Sequence, residues 1–311
     1  MKKVLLFPVF LALAAGLVFT ACNDDDDNPQ SIVDLAQGNT NLSILVDALV
    51  RADLVTTLEG AGPFTVLAPT NAAFNTLLND LGATSLNDIP VDVLRNILLN
   101  HVISGDVRSG ALTTGYVSTL ATGPGNNPIS LYVDVTSGVK FNGTATVTTA
   151  DLIGTNGVVH VIDQVLTIPT VVNTALNNPN FSILVAALTR GDLGVDYVSL
   201  LSGDGPFTVF APTNDAFVAL LTELGAASLN DIPANTLNAV LQYHVVSGAN
   251  VRSTQLTEGQ NVTTYQGGDF TVSLAGGAKI TDGQGRVSNI IAVDVQAGNG
   301  VVHAIDKVIL P

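Results

Sequence analysis

The chain has 311 residues, enough for about two domains, and 47% of them are apolar, which excludes a wholly disordered polymer. Twenty-six acidic residues against 11 basic ones give a net charge of -15. No cluster of Lys or Arg follows Lys3, which excludes a basic nucleic-acid-binding surface.

Residues 1–21 read as a signal peptide: Lys2 and Lys3 form a positive start, Val4–Phe19 is almost unbroken apolar sequence, and Thr20 and Ala21 are small. The apolar run is too short and too abruptly ended for a spanning helix. Cys22, the single cysteine, cannot form an intramolecular disulfide. Phe19-Thr20-Ala21-Cys22 resembles a bacterial lipobox, with Phe19 where Leu is usual. That resemblance implies lipid attachment at Cys22 and a membrane anchor. Residues 22–30 carry Asp24–Asp27, a self-repelling, solvated tether. The tether is similar to the acidic export signal of Bacteroidota surface lipoproteins, which implies display on the outside of the outer membrane. Removal of residues 1–21 takes away Lys2 and Lys3 and no acid, moving the charge from -15 to -17.

The remainder repeats itself. GPFTVLAPTNAAF at Gly62–Phe74 returns as GPFTVFAPTNDAF at Gly205–Phe217. LGATSLNDIP, HVISG and NGVVHVID return at the same offset of 143 residues. The opening helix, Asn41–Leu54, matches Asn180–Leu193 at an offset of 139, so the second copy carries four extra residues around Gly194–Tyr197. Two whole domains follow, residues 31–169 and 170–311, joined by a linker too short to allow much relative motion and stiffened by Pro169.

Within the first copy, Leu42, Leu45, Ala48, Leu49 and Ala52 mark one helical face. Phe64–Leu67 reads as a buried strand. Thr70 or Asn71 is suited to cap a helix whose apolar stripe is Phe74, Leu77, Leu78 and Leu81, with Gly82 as its stop. Pro90 suits the first turn of a third helix with Val91, Leu94, Ile97, Leu98 and His101 on one face. From Val107 the sequence turns to Val/Thr-rich strands. Asn142-Gly143 signals a tight hairpin, and Val158–Val165 reads as a central strand. Helices followed by a run of antiparallel strands give an α+β fold.

These boxes resemble the fasciclin domain family: TVxAPTNxAF at Thr65–Phe74 and Thr208–Phe217, HVxxG at His101–Gly105 and His244–Gly248, and the closing NGVxHxID at Asn156 and Asn299. The resemblance covers nearly everything after residue 30. It implies two tandem domains, each a compact β-wedge or sandwich with packed helices. It also implies adhesion to an extracellular protein or polysaccharide, without catalysis or cofactor. In animal members an Asp-Ile pair and a Tyr-His pair are linked to integrin binding. Asp88-Ile89, Asp231-Ile232 and Tyr243-His244 match them and stand as candidates for an adhesive surface, whereas the first copy has Asn100-His101 at the second position.

The four histidines, in equivalent pairs His101/His244 and His160/His303, read as structural groups bonded to a backbone carbonyl or to an Asp such as Asp163. No HExxH, G-x-S-x-G or phosphate-cradling glycine loop is present, and no metal site is expected. The alternative to adhesion is a glycan- or small-ligand-binding envelope lipoprotein. With no Trp and five scattered Tyr, a sugar site has to rely on Asn, Asp and Thr.

Overall fold

A computed structural model describes residues 30–311; the signal peptide expected over residues 1–21, Cys22 and the Asp24–Asp27 run lie outside the described residues. The first domain opens with α1 (Ile32–Gln37), α2 (Ser43–Arg51) and α3 (Val55–Leu58), then β1 (Phe64–Pro69), α4 (Asn71–Asp80), α5 (Val91–Leu99) and β2 (Val102–Ser104). It continues with β3 (Gly115–Thr122), β4 (Pro128–Asp134), β5 (Lys140–Phe141), β6 (Ala145–Gly154) and β7 (Gly157–Ile162). The second domain repeats the order as α6 (Val171–Leu176), α7 (Ser182–Leu188), α8 (Tyr197–Leu201), β8 (Phe207–Pro212), α9 (Asn214–Leu224), α10 (Ala234–Tyr243) and β9 (Val245–Ser247). Its remaining strands are β10 (Asn261–Thr263), β11 (Asp269–Ser273), β12 (Lys279–Thr281), β13 (Val287–Ala297) and β14 (Gly300–Ile305).

Each domain holds a seven-stranded sheet, ordered β2-β1-β7-β6-β5-β4-β3 in the first and β9-β8-β14-β13-β12-β11-β10 in the second. The fold is therefore α+β, as the sequence implies. The last strand of each copy is central. β7 runs parallel to β1 on one side and antiparallel to β6 on the other, and all six of its residues are buried. That explains its unbroken Val-rich sequence, because a strand covered on both faces has no polar alternation. Asn142 (φ 48°) and Gly143 (φ 71°) both adopt the left-handed conformation that a two-residue hairpin demands, joining β5 to β6.

The helices pack their apolar faces on the sheet. Leu42, Leu45, Ala48, Leu49 and Ala52 are all buried, as are Phe74, Leu77, Leu94, Ile97 and Leu98. Leu81 departs from its stripe. The helix closes at Asp80, so Leu81 sits past its end and is 56% exposed. Pro90 caps the third helix from outside rather than occupying its first turn.

The domains are docked. The Asn178 amide donates to the Tyr116 hydroxyl (3.0 Å), the Gln296 N–H to Ser130 Oγ (3.0 Å) and the Gly298 N–H to the Pro169 carbonyl (2.7 Å). The first domain presents the long β3–β4 hairpin, of eight and seven residues, to this contact. Its equivalents in the second domain, β10 and β11, have three and five. Burial at the contact pushes the Tyr116 hydroxyl pKa up to about 12.

Candidate functional site

The repeated boxes are structural clamps. Thr70 and Thr213 cap their own helices, accepting from Ala73 and Ala216 N–H. The neighbouring Asn reaches across to another helix. Asn71 Oδ1 accepts from Ile44 N–H at the start of α2 (2.9 Å), while its amide donates to Thr40 O and Ser43 Oγ. Asn214 does the same for Ile183 and Pro179. The closing Asn-Gly is a third clamp. Asn156 Oδ1 accepts from Ile32 N–H at the start of α1, and its amide donates to Leu58 O and Gly60 O. Asn299 repeats this with Val171, Leu201 and Gly203. A Cβ on the adjacent Gly157 or Gly300 would overlap the carbonyl of Phe64 or Phe207.

The histidines are neutral and fixed in opposite tautomers. A backbone N–H can only donate, so it identifies the ring nitrogen that accepts. His101 Nδ1–H donates to Ile97 O (2.7 Å) and Nε2 accepts from Leu166 N–H (2.8 Å); His244 does so with Val240 and Ile309. His160 and His303 reverse the pattern, donating from Nε2 to Val107 O and Val251 O and accepting at Nδ1 from Asp151 and Asp294 N–H. Burial lowers the His101 and His244 pKa values to about 4 and also lowers that of His303. Backbone carbonyls are thus the partners, but the acid nearest His160 is Asp151 (3.9 Å), because Asp163 is turned to the Thr146 N–H.

Ser109, Asp151 and His160 lie together, as do Ser253, Asp294 and His303, but not as nucleophile and base. The serine hydroxyl donates to the carboxylate, and both ring nitrogens are held by backbone. Among the described residues no group of three His, Cys, Asp or Glu could hold a metal ion.

The adhesive candidates are not all at the surface. Asp88 and Asp231 are exposed, and each closes a short 3₁₀ turn as the acidic partner of a capping box with Ser85 or Ser228. Asp88 Oδ2 accepts from the Thr84 hydroxyl and N–H and from Ser85 N–H, which lowers its pKa. Asp231 Oδ2 accepts from Ala227 and Ser228 N–H. Ile89 and Ile232 are buried at 4% exposure, as part of the helical core. Tyr243 is fully buried, its hydroxyl donating to Asp269 O (2.6 Å) and accepting from Gly283 N–H (3.0 Å). His244 is buried beside it. Asn100, at the Tyr243 position of the first domain, instead donates to Leu166 O and Thr167 O.

The exposed surface near Asp88 is an open groove of about 570 Å³ between α2, α4 and the 84–87 turn, lined by Ile44, Asp47, Val50, Leu78 and Ser85 among others. Val50 is 64% exposed. Arg51 fastens the turn from beneath, donating to the Leu86, Asn87 and Ile89 carbonyls. Arg190 repeats this with Leu229 and Ile232. The sequence did not point to these arginines, although both occupy the same place at the end of the repeated helix.

The fasciclin domain sequence profile matches residues 40–169 and 179–311. Protein sll1483 of Synechocystis is 43% identical over 46% of this chain and 73% of its own length. Pig transforming growth factor-beta-induced protein ig-h3 is 30% identical over 88% of this chain, and human periostin 30% over 82%. This chain spans only 38% and 29% of those two relatives. The solved domain pair from the insect cell adhesion molecule fasciclin I superposes with a TM-score of 0.54 at 22% identity, covering 88% of this chain and 98% of that one. With both halves matched by the profile and each half built on the same clamped sheet, the chain belongs to the fasciclin domain family, as a tandem pair.

Proposed function

We propose that the chain is a lipid-anchored protein of the outer membrane surface that uses its two fasciclin domains to adhere to an extracellular protein or polysaccharide, without catalysis. The observation that carries the reading is a division of labour seen in the first domain. The polar residues of the repeated boxes are spent on clamps, whereas the helical side beside Asp88 leaves an open groove of mixed lining, with Val50 exposed, facing solvent. A groove with exposed apolar side chains and a polar rim is suited to binding a macromolecule. The solved insect pair that shares this fold comes from a cell adhesion molecule, which points in the same direction. The anchor is proposed at Cys22, with Asp24–Asp27 as spacer.

Asp88 and Asp231 are the proposed polar contacts. Each commits Oδ2 to its turn, and among the described residues Oδ1 of each makes no hydrogen bond. Ile89, Ile232, Tyr243 and His244 are proposed to act from beneath, as the packing that holds these turns and the adjoining strands in place. The test is attachment of cells carrying the wild-type protein to neighbouring cells, biofilm matrix and host matrix, against cells carrying Val50→Asp. Loss of attachment in the variant at equal surface abundance supports the reading. Equal attachment by cells lacking the protein altogether contradicts it.

A further inference from the structure

A second recess lies at the junction of the two domains, away from the α2–α4 groove. It is a crevice of about 100 Å³ whose polar lining is Asn142, Thr144, Thr167, Asn173 and Asn177, with Pro169 in its wall. The first domain and connector supply the first three, and the second domain supplies Asn173 and Asn177. Neither domain forms it alone.

The orientation of these groups is determined by their bonded ends. Asn142 is 8% exposed and sits in the rigid β5–β6 turn. Its Oδ1 accepts from Tyr132 N–H (3.0 Å), which fixes the amide nitrogen at the opposite end. Asn173 Oδ1 accepts from the Thr170 N–H and hydroxyl, which likewise fixes its amide nitrogen. Among the described residues, neither amide nitrogen makes a hydrogen bond, nor do the side chains of Thr144, Thr167 and Asn177. The largely buried Asn142 amide turns its unpaired donor end to the recess, where it meets solvent and is free to donate to a ligand oxygen.

The chemistry of the lining selects the ligand class. No charged side chain lines the recess, so it offers neither an anion nor a cation its counter-charge. It offers amides and hydroxyls that donate and accept at close spacing, beside a small apolar wall. That matches the alternating hydroxyls and ring carbons of a neutral sugar. No aromatic ring is present for stacking, so affinity per site is weak and gains from a repeating polymer.

We infer that the interdomain crevice is a binding subsite for a neutral saccharide. The inference rests on the reading of the chain as a binding protein and gives it a second locus and a ligand class. The experiment is saturation-transfer difference NMR on the detergent-solubilised full protein with maltotriose, cellotriose, chitotriose and mannotriose as probes. The expected result is transfer to at least one trisaccharide, abolished by Asn177→Leu, which fills the recess. Thr144→Val should weaken it about fivefold to tenfold, the loss of one neutral hydrogen bond, and Val50→Asp in the distant groove should leave it unchanged. Thermal unfolding of each variant identifies any that fails to fold, and Thr144→Val, at an exposed turn, then decides. Transfer to none of the four probes overturns the inference, as does transfer that survives both crevice variants. Transfer lost only in Val50→Asp also overturns it, while leaving the helical groove as the binding surface.

Discussion

At the scale of single residues, the decisive groups are short polar side chains used as clamps. Asn71 satisfies a helix-start N–H and two further partners on a different segment. Asn71→Ala strands an N–H and a carbonyl, so urea unfolding should show a loss of about 1–3 kcal/mol. Thr70→Ala removes one cap and should cost about 1 kcal/mol. The buried histidines give stability a pH signature. The His101 and His244 pKa values lie at about 4 in the folded protein, below the ordinary value of 6.5, so the unfolded chain binds more protons between those limits. Their contribution is therefore complete above pH 6.5 and is lost as pH falls towards 4. At about 1.4 kcal/mol per pH unit, each ring accounts for about 3 kcal/mol. Urea midpoints measured from pH 7 to pH 4 should fall steeply in wild type and less steeply in His101→Gln, once normalised to pH 7.

At the scale of elements, the helical faces and the hairpin were legible because periodicity and turn chemistry act locally. Leu45, Ala48 and Leu49 are buried, and Asn142-Gly143 turns, for reasons contained in a few neighbouring residues. The functional surface was less legible. Asp88-Ile89 looks like one exposed pair in sequence, but the 3₁₀ turn points Asp88 outward and directs Ile89 into the core. Tyr243 is drawn inward because the β12–β13 loop supplies a donor at Gly283 N–H, and the shorter β5–β6 turn of the first domain has no counterpart. Such long-range partners leave no local pattern. Gly300 tests the closing clamp. A Cβ there meets Phe207 on the neighbouring parallel strand, so Gly300→Ala should lower the thermal midpoint of the second domain by several degrees.

At the scale of the molecule, the tandem is a docked unit. Repetition in the sequence established two copies, but which surfaces meet was set by the lengthened β3–β4 hairpin and by glycines at the contact. Gly123 lies against the Ala297 carbonyl, where an added Cβ would sit 2.5 Å away. Gly123→Val should undock the domains, read as an increased radius of gyration in small-angle scattering with each domain still folded by circular dichroism. Undocking would also open the polar crevice and remove saccharide binding there, while leaving the α2–α4 groove intact.

The proposed display of the two domains at the outer face of the cell, held by the N-terminus, is tested most directly by protease treatment of intact cells. Wild type, Cys22→Ala and a variant with Asp24–Asp27 replaced by Ala are compared before and after lysis. Wild type should be cut on intact cells, and both variants should be protected there or lost from the cell. Protection of wild type until lysis would contradict surface display and place both binding surfaces inside the envelope.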